Sequence, residues 1–264
     1  MRFAKGNLYG GRLLVVGALF LLPLLLGAAK LYPWSGASMF QRIFSLGALP
    51  DVLQHRLLYV LFIPMGALLV VFCRLTLGIR ILGPFRSILI AIAFQITGIL
   101  HGLVFLIIVT LAIVLLRPRL KAVRLPYFAR VSVLLSVVSL IIAFTVLSGR
   151  WIGSESLVLV GYFPIIVLAL IGEGFSRTLT REGWRSALWR GTMTVLVAVI
   201  ITLIAGIDAL QGFQLDFPEF LLIEVGLILV ISEYLDLRLL RVLNPPPRSG
   251  QSRKKKTKYV RVLT

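Results

Sequence analysis

Long apolar runs separated by short polar segments recur along the chain. They cover residues 13–29, 57–73, 87–116, 131–147, 157–172, 192–207 and 220–231. A membrane-spanning helix needs about 20 mainly apolar residues. Lipid offers no partner to an unpaired backbone N–H or C=O group, so helix is the expected state of these runs. The pattern predicts an all-α, polytopic membrane helical bundle over residues 1–243.

The run at 87–116 has 30 residues, which is long for one span and short for two. As one helix it would measure about 45 Å, against a hydrocarbon core of about 30 Å. Polar and flexible residues interrupt it at Gln95, Thr97, Gly98, His101 and Gly102. We predict two helices that turn near 95–101, the first either a full crossing or a re-entrant half-helix. The bundle then has about eight helices.

The first run follows Arg2, Lys5 and Arg12, which is also how a secretory signal begins. Gly27-Ala28-Ala29 would serve as the cleavage site in that interpretation. The run is long for a signal, and a retained first span is the interpretation we prefer.

Charge is scarce but strongly one-sided. Only 14% of residues are charged and 59% are hydrophobic, with a mean hydropathy of +0.99, yet the net charge is +18. Membrane proteins concentrate Lys and Arg in their cytoplasmic loops. If the N-terminus and the segments 74–86, 117–130, 173–190 and 238–264 face the cytoplasm, that side holds 24 of the 28 basic residues. The segments 30–56, 148–156 and 208–219 then face the outer side and hold the other four. The prediction is a bacterial cytoplasmic-membrane protein with both termini inside. This split explains the charge without a nucleic-acid partner.

The segments around Gly83 and Gly161 resemble each other at an offset of 78 residues, with Gln95 opposite Glu173. By the topology above, the two copies run in opposite directions. Residues 57–116 and 131–207 are therefore candidate inverted repeats, although short apolar strings also match by chance. Interrupted helices in such repeats point to a midplane site in transporters.

Four polar residues in or beside the runs are candidates for a substrate or ion pathway: Gln95, His101, Glu173 and Glu224. Ionisable groups within a span are costly and are functional candidates by default. The structural alternatives are an interfacial position for Glu224, an ion pair of Glu173 with Arg177, and interhelical contacts for Gln95 and His101. The acidic loop residues Asp208, Asp216 and Glu219 would attract a cation or simply be solvated.

No arrangement of residues indicates catalysis or a cofactor. One cysteine and two histidines without a carboxylate cluster make a metal site improbable. After Pro245-Pro246-Pro247, the segment 244–264 is predicted to be a disordered polybasic tail. Its basic residues would draw it to anionic lipid head groups or to an acidic cytoplasmic partner. The densest block is Arg253, Lys254, Lys255, Lys256 and Lys258.

Residues 57–240 resemble a bacterial family of seven-transmembrane domains that are usually fused to an inactive transglutaminase-like domain. The matching residues are 88–98 (ILIAIAFQITG), Tyr162-Phe163-Pro164, Glu173, Arg181-Glu182-Gly183, Ala187-Leu188, Phe217-Pro218-Glu219-Phe220-Leu221-Leu222, Tyr234 and Arg238-Leu239. Only 27 residues separate Ala29 from Leu57, which leaves no room there for the transglutaminase-like domain.

The family resemblance implies which proteins work nearby but does not imply a reaction. Members of the family often sit beside ATP-grasp ligases that join glutamate-like amino acids. A fainter similarity, around 161–183, is to the small membrane subunit of poly-γ-glutamate capsule synthesis. Together they imply a membrane subunit that works with a cytoplasmic ATP-grasp-type ligase to make or export a peptide-like or amino-acid polymer. The alternatives are an independent secondary transporter and a membrane scaffold protein.

The topology is tested by single cysteines in a Cys73→Ser background, labelled in intact cells with an impermeant thiol reagent. We expect Gln211→Cys, in the outer segment 208–219, to react and Arg124→Cys, in an inner loop, to stay unlabelled until the cells are opened. Labelling of the second without the first would reverse the scheme.

Overall fold

The computed structural model of the chain describes residues 5–32, 45–123, 126–153, 158, 165–235, 237–240 and 244–245. Throughout these ranges the regular elements are helical, which confirms the all-α prediction. The α-helices are α1 (Lys5–Leu31), α2 (Asp51–Val71), α3 (Pro84–Thr97), α4 (Ile99–Ala122), α5 (Tyr127–Ile152), α6 (Ile165–Glu182), α7 (Trp184–Ala205), α8 (Asp208–Asp216) and α9 (Leu221–Tyr234). A π-helical turn, Phe72–Thr76, continues α2, and short 3-10 turns occupy Leu46–Ala48 and Pro218–Phe220.

Among the described residues, four helical segments are long and apolar enough to cross a bilayer: Val52–Thr76, Ile99–Leu120, Val131–Ile152 and Trp184–Ala205. Shorter apolar helices cover Val15–Leu31 and Phe85–Thr97. The exposed surface of these helices is rich in large apolar side chains such as Leu111, Leu140 and Leu203. Such a surface suits a lipid environment, because a soluble protein rarely exposes contiguous apolar patches.

The long apolar run is two helices, as predicted, and the break is at Gly98. Its φ of 78° and ψ of 149° are compatible with glycine and depart from helix geometry. Ile90, eight residues before the break, and Val114, sixteen residues after it, line the same cavity. A straight continuation would separate them by about 36 Å at 1.5 Å per residue, so the chain folds back on itself.

Two element boundaries differ from the prediction. Helix α5 continues to Ile152, into the segment expected to be an outer loop, and ends on Gly153 in the left-handed conformation. The predicted loop at 208–219 contains the nine-residue helix α8. Asp208 lies in the first turn of α8, where a carboxylate interacts favourably with the helix dipole.

The chain divides into two compact units. Unit 1 comprises Met1–Gly78 and Val197–Leu239, and unit 2 comprises Ile79–Leu196 and Leu240–Thr264. Each candidate repeat therefore contributes residues to both units, and the inverted repeat remains a prediction.

The core of unit 1 is built on one face of α2. Leu58, Leu61, Phe62 and Met65 recur at helical spacing and pack with Ala205 of α7 and Leu215 of α8. Helix α9 packs against α1 through glycines: a Cβ on Gly226 would lie 3.0 Å from the Phe20 ring. Small residues let membrane helices approach closely, which matters because lipid provides no hydrophobic drive for helix association.

The chain after α9 returns to the end of α2 within unit 1. The backbone N–H groups of Arg238 and Leu239 donate to the carbonyl oxygens of Leu75 and Thr76, at 3.1 and 3.0 Å. Gly78, with φ 74°, lies against this junction, where a Cβ would be 2.9 Å from Arg238 Cα. The segments beginning near residues 74 and 238, both predicted to face the cytoplasm, thus meet at one end of unit 1.

In unit 2, α4 packs against α6 and α3 through glycines. A Cβ on Gly172 would overlap Ile113, and one on Gly102 would lie 2.6 Å from the Phe94 ring and 2.8 Å from Thr97 Oγ1. Phe94 and Ile113 are both fully buried. The turn at Gly98 therefore requires a glycine one turn later, at position 102.

We expect Gly102→Ala to lower the stability of the protein by about 1–3 kcal/mol, because the methyl group overpacks against a buried ring. Thermal unfolding in detergent would measure the effect. Gly17→Ala is the matched control, since no atom lies within 4 Å of a Cβ at that position of α1. Equal stability of the two variants would contradict the packing described at the turn.

Candidate functional site

A buried ion pair links the end of α1 to the start of α9 in unit 1. Lys30 Nζ lies 2.8 Å from Glu219 Oε2, and the two side chains are only 2% and 6% exposed. The ammonium also donates to the carbonyl oxygen of Asp216 at 2.7 Å and lies 5.2 Å from the centre of the Phe217 ring. Burial of two charges is costly unless they are paired and hydrogen-bonded, as they are here.

Aromatic side chains lie beside this pair. The ring of Phe213 lies 5.4 Å from that of Phe217 and 4.9 Å from that of Phe220, measured between centroids. Tilted and edge-to-face arrangements at these distances are favourable. Phe217 brings this group of aromatic rings against the Lys30 ammonium.

Glu224 belongs to the same part of unit 1. It is half-buried, and its Oε1 accepts a hydrogen bond of 3.4 Å from Nε2 of Gln214, a side chain that is 4% exposed. Three buried side-chain oxygens here have no hydrogen-bond donor among the described residues: Gln214 Oε1, Glu219 Oε1 and Glu224 Oε2. We call Gln214, Glu219 and Glu224 the oxygen cluster.

The predicted acidic loop is thus only partly solvated. Asp208 and Asp216 are exposed, and Asp216 accepts a 3.3 Å hydrogen bond from Ser45 Oγ. The prediction of a solvated side chain is wrong for Glu219, because its carboxylate is buried and paired with Lys30, which lies 189 residues away in sequence. Lys30, Ser45, Asp216 and Glu219 were all predicted to lie on the outer side, and their contacts agree with a shared side.

Of the remaining pathway candidates, Gln95 and His101 lie at the turn in unit 2, whereas Glu173 lies away from it. Gln95 is half-buried and His101 is exposed, on either side of Gly98. Glu173 is in α6, and its side chain falls outside the described residues, so its predicted ion pair with Arg177 remains a prediction. A Cβ on the next residue, Gly174, would overlap the guanidinium of Arg86, so α3 and α6 meet at this point.

One cavity of unit 2 is apolar. Its volume is about 350 Å³, and Leu, Ile, Val and aromatic side chains line it, with three threonines at 110, 192 and 194. Gln95 and His101 are not among the lining residues. The pathway roles of Gln95, His101, Glu173 and Glu224 remain predictions.

The start of the C-terminal tail is held within unit 2. Asn244 Oδ1 accepts hydrogen bonds from the indole N–H of Trp189 at 3.1 Å and from the backbone N–H of Arg80 at 3.0 Å. Three segments predicted to face the cytoplasm therefore converge on Asn244. The basic residues Arg253, Lys254, Lys255, Lys256 and Lys258 lie beyond the described residues.

At the turn between α6 and α7, the acidic side chain is paired, whereas two basic side chains are exposed. Glu182 pairs with Arg190 at 2.7 Å and accepts a hydrogen bond from Ser186 Oγ at 2.6 Å. Arg181 and Arg185 are exposed. The acidic group is therefore neutralised by its own neighbours, and the turn presents positive charge.

Helices long and apolar enough to span, with apolar side chains on their exposed faces, define a multi-pass α-helical membrane protein. A family model described as seven transmembrane helices usually fused to an inactive transglutaminase matches residues 34–244. The chain belongs to this family. No curated protein and no solved structure matches it.

The helix count of the matched region agrees with the family description. Between residues 34 and 244, the described segments include seven helices of 14 or more residues, α2–α7 and α9. Helix α8, with nine residues, is too short to span. Helix α1 precedes the match, which gives the eight helices predicted from the sequence.

We expect Lys30→Met to destabilise the protein by about 3–5 kcal/mol, because it leaves Glu219 buried without its countercharge. The double variant Lys30→Met/Glu219→Gln should recover a large part of that loss. Asp208→Asn, which neutralises an exposed acid nearby, is the control and should have little effect. Thermal unfolding of the wild type, the single variants Lys30→Met and Glu219→Gln and the double variant completes a double-mutant cycle. Additive effects of the two substitutions would contradict the ion pair.

Proposed function

We propose that the chain is an integral membrane subunit that works with a cytoplasmic ATP-grasp-type ligase in the synthesis or export of a peptide-like or amino-acid polymer. Membership of the membrane family and the resemblance of the chain to proteins found beside such ligases support this proposal. In it, the protein resides in the bacterial cytoplasmic membrane with both termini inside.

The observation that carries the proposal is a cationic surface in unit 2, beside the point where the C-terminal tail begins. Arg181 and Arg185 are exposed on the α6–α7 turn, and Glu182 is paired with Arg190. Trp189, one helical turn beyond Arg185, holds Asn244, after which the polybasic segment begins. The C-terminal tail therefore starts beside a surface that carries positive charge, as the tail itself does.

Positive charges concentrated on one surface favour the binding of an acidic partner. A concentrated positive field attracts an anionic surface and accelerates its encounter. Anionic lipid head groups satisfy part of this attraction, at about 1 kcal/mol per charge near the membrane. A soluble ligase with an acidic surface would be brought to the membrane by the same charges, next to the chain that receives its product.

A second function, secondary transport, is favoured by the oxygen cluster of unit 1. Buried ionisable groups in membrane helices mark ion and substrate routes. Lys30 and Glu224 lie in the apolar helices α1 and α9, and Glu219 lies in the turn that precedes α9. A role as a membrane scaffold is the third alternative and would use only the loops and tail.

The test is co-purification of the full chain from membranes of its own host in a mild detergent. We expect an ATP-grasp-type ligase to accompany the wild type. The variant Arg181→Ser/Arg185→Ser, with Lys254, Lys255 and Lys256 also changed to Ser, should retain several-fold less ligase, because the attracting charges are gone.

The matched control, Arg56→Ser/Arg150→Ser, removes exposed arginines predicted to lie on the opposite side of the membrane. It should retain as much ligase as the wild type. Absence of any such ligase from the wild-type preparation, or equal loss in the control, would contradict the proposal.

A further inference from the structure

The oxygen cluster of unit 1 concentrates hydrogen-bond acceptors without donors. Gln214 Oε1, Glu219 Oε1 and Glu224 Oε2 are buried and unpaired, although each belongs to a side chain whose other polar atom has a partner. An unsatisfied buried acceptor costs about 1–3 kcal/mol, and more if it is charged. Three such atoms lie on the short segment 214–224, and a positively charged ligand is the kind of partner that carboxylate and amide oxygens accept.

The orientation of Gln214 strengthens this point. Its amide is in contact with the carboxylate of Glu224, which can only accept hydrogen bonds when ionised. The NH₂ group must therefore face Glu224, and the amide oxygen is the atom left without a donor. The unpaired set consists entirely of carboxylate and amide oxygens, which are the ligands that hard cations prefer.

The charge of the surrounding side chains indicates whether a monovalent or a divalent cation would bind. Glu219 is already neutralised by Lys30 at 2.8 Å, whereas Glu224 makes no ion pair in the part of the chain described. With Glu224 ionised, the side chains of Lys30, Glu219 and Glu224 together carry one uncompensated negative charge. One monovalent cation balances it, but a divalent cation would leave a buried positive charge, which is costly.

We propose that unit 1 contains a binding site for one alkali-metal cation, formed by Glu224 and Gln214 in contact with each other and by Glu219 on the segment between them. The residues come from three consecutive elements: the end of α8, the turn Pro218–Phe220 and the first turn of α9. Lys30 fixes this segment from α1 through both Glu219 and the Asp216 carbonyl.

This arrangement links cation binding to helix packing. The segment that carries the oxygens also packs against α1, where Gly27 lies against Phe220. Occupancy of the site therefore stabilises the contact between the end of α1 and the start of α9. The proposed cation site lies in unit 1 alone, and cation binding there does not depend on a ligase partner.

The test uses the purified full chain in detergent at constant ionic strength, with NaCl, LiCl, KCl or choline chloride as the salt. A cation that binds only the folded state raises its stability by mass action. We expect at least one alkali cation to raise the midpoint of thermal unfolding by about 5 °C relative to choline at saturation. The rise should saturate with concentration as for one site.

Two variants and one control locate the effect. Glu224→Gln keeps the shape of the side chain and removes its charge, so the cation-dependent shift should disappear. Gln214→Leu should raise the concentration needed for half of the shift by tenfold or more. Asp208→Asn, an exposed acid outside the cluster, should leave the shift unchanged.

A direct measurement keeps the proposal testable if a variant does not fold. Binding of radioactive ²²Na⁺ to the wild-type chain, with competition by LiCl, KCl and CaCl₂, should reveal one site that an alkali cation occupies. The absence of any difference between alkali and choline salts in wild-type unfolding would overturn the proposal. So would an undiminished shift in Glu224→Gln, or a stronger effect of CaCl₂ than of the alkali salts.

Discussion

Hydrocarbon offers a polar group no partner, and this constraint decides how the chain hides the polar atoms of its helices. Hydroxyl groups within the spans donate to the carbonyl four residues earlier, as Ser139, Thr145 and Ser148 do along α5 and Thr202 does in α7. Such bonds let serine and threonine stay in an apolar helix without a partner from another helix. Charged groups have no comparable local solution and need a partner from elsewhere in the chain.

The same constraint explains why the helices meet at glycines. Since lipid is as apolar as leucine, contact between helices gains little from the hydrophobic effect and depends on close packing. Gly226 lets α9 approach Phe20, and Gly172 lets α6 approach Ile113. Gly174 admits the guanidinium of Arg86, which also donates to the Leu82 carbonyl at 3.1 Å. Glycine here provides space for a neighbour more than freedom for the backbone.

The two units have different polar chemistry. Unit 1 holds a buried lysine–glutamate pair beside acceptor oxygens without donors, a combination suited to a small cation. Unit 2 holds an apolar cavity and, at the root of the tail, a turn whose acid is neutralised and whose exposed arginines are not. The proposed binding of an ion and the proposed recruitment of a partner therefore depend on different residues. Membership of the family gives the membrane context of both but assigns a reaction to neither.

Hydropathy and charge, read along the sequence, determined the helical membrane class, the approximate helix positions, the break within 87–116 and the segments expected to share a side. These features follow from local composition, because lipid imposes the same demand on each span independently. Residue types also identified Glu224 as unusual. They did not identify Lys30, Gln214 or Asn244 as members of sites, because a lone polar residue near a span end is most often simply solvated.

Only the tertiary structure decided which of these residues meet. Lys30 and Glu219 are 189 residues apart, and Arg80 and Asn244 are 164 apart. No local pattern encodes contacts between such distant positions, since they depend on which helices pack together and at what rotation. The tertiary structure likewise placed helix α8 within the predicted outer loop, with Gln214 and Leu215 buried. The sequence set the environment of each helix, and packing set the partners of its polar atoms.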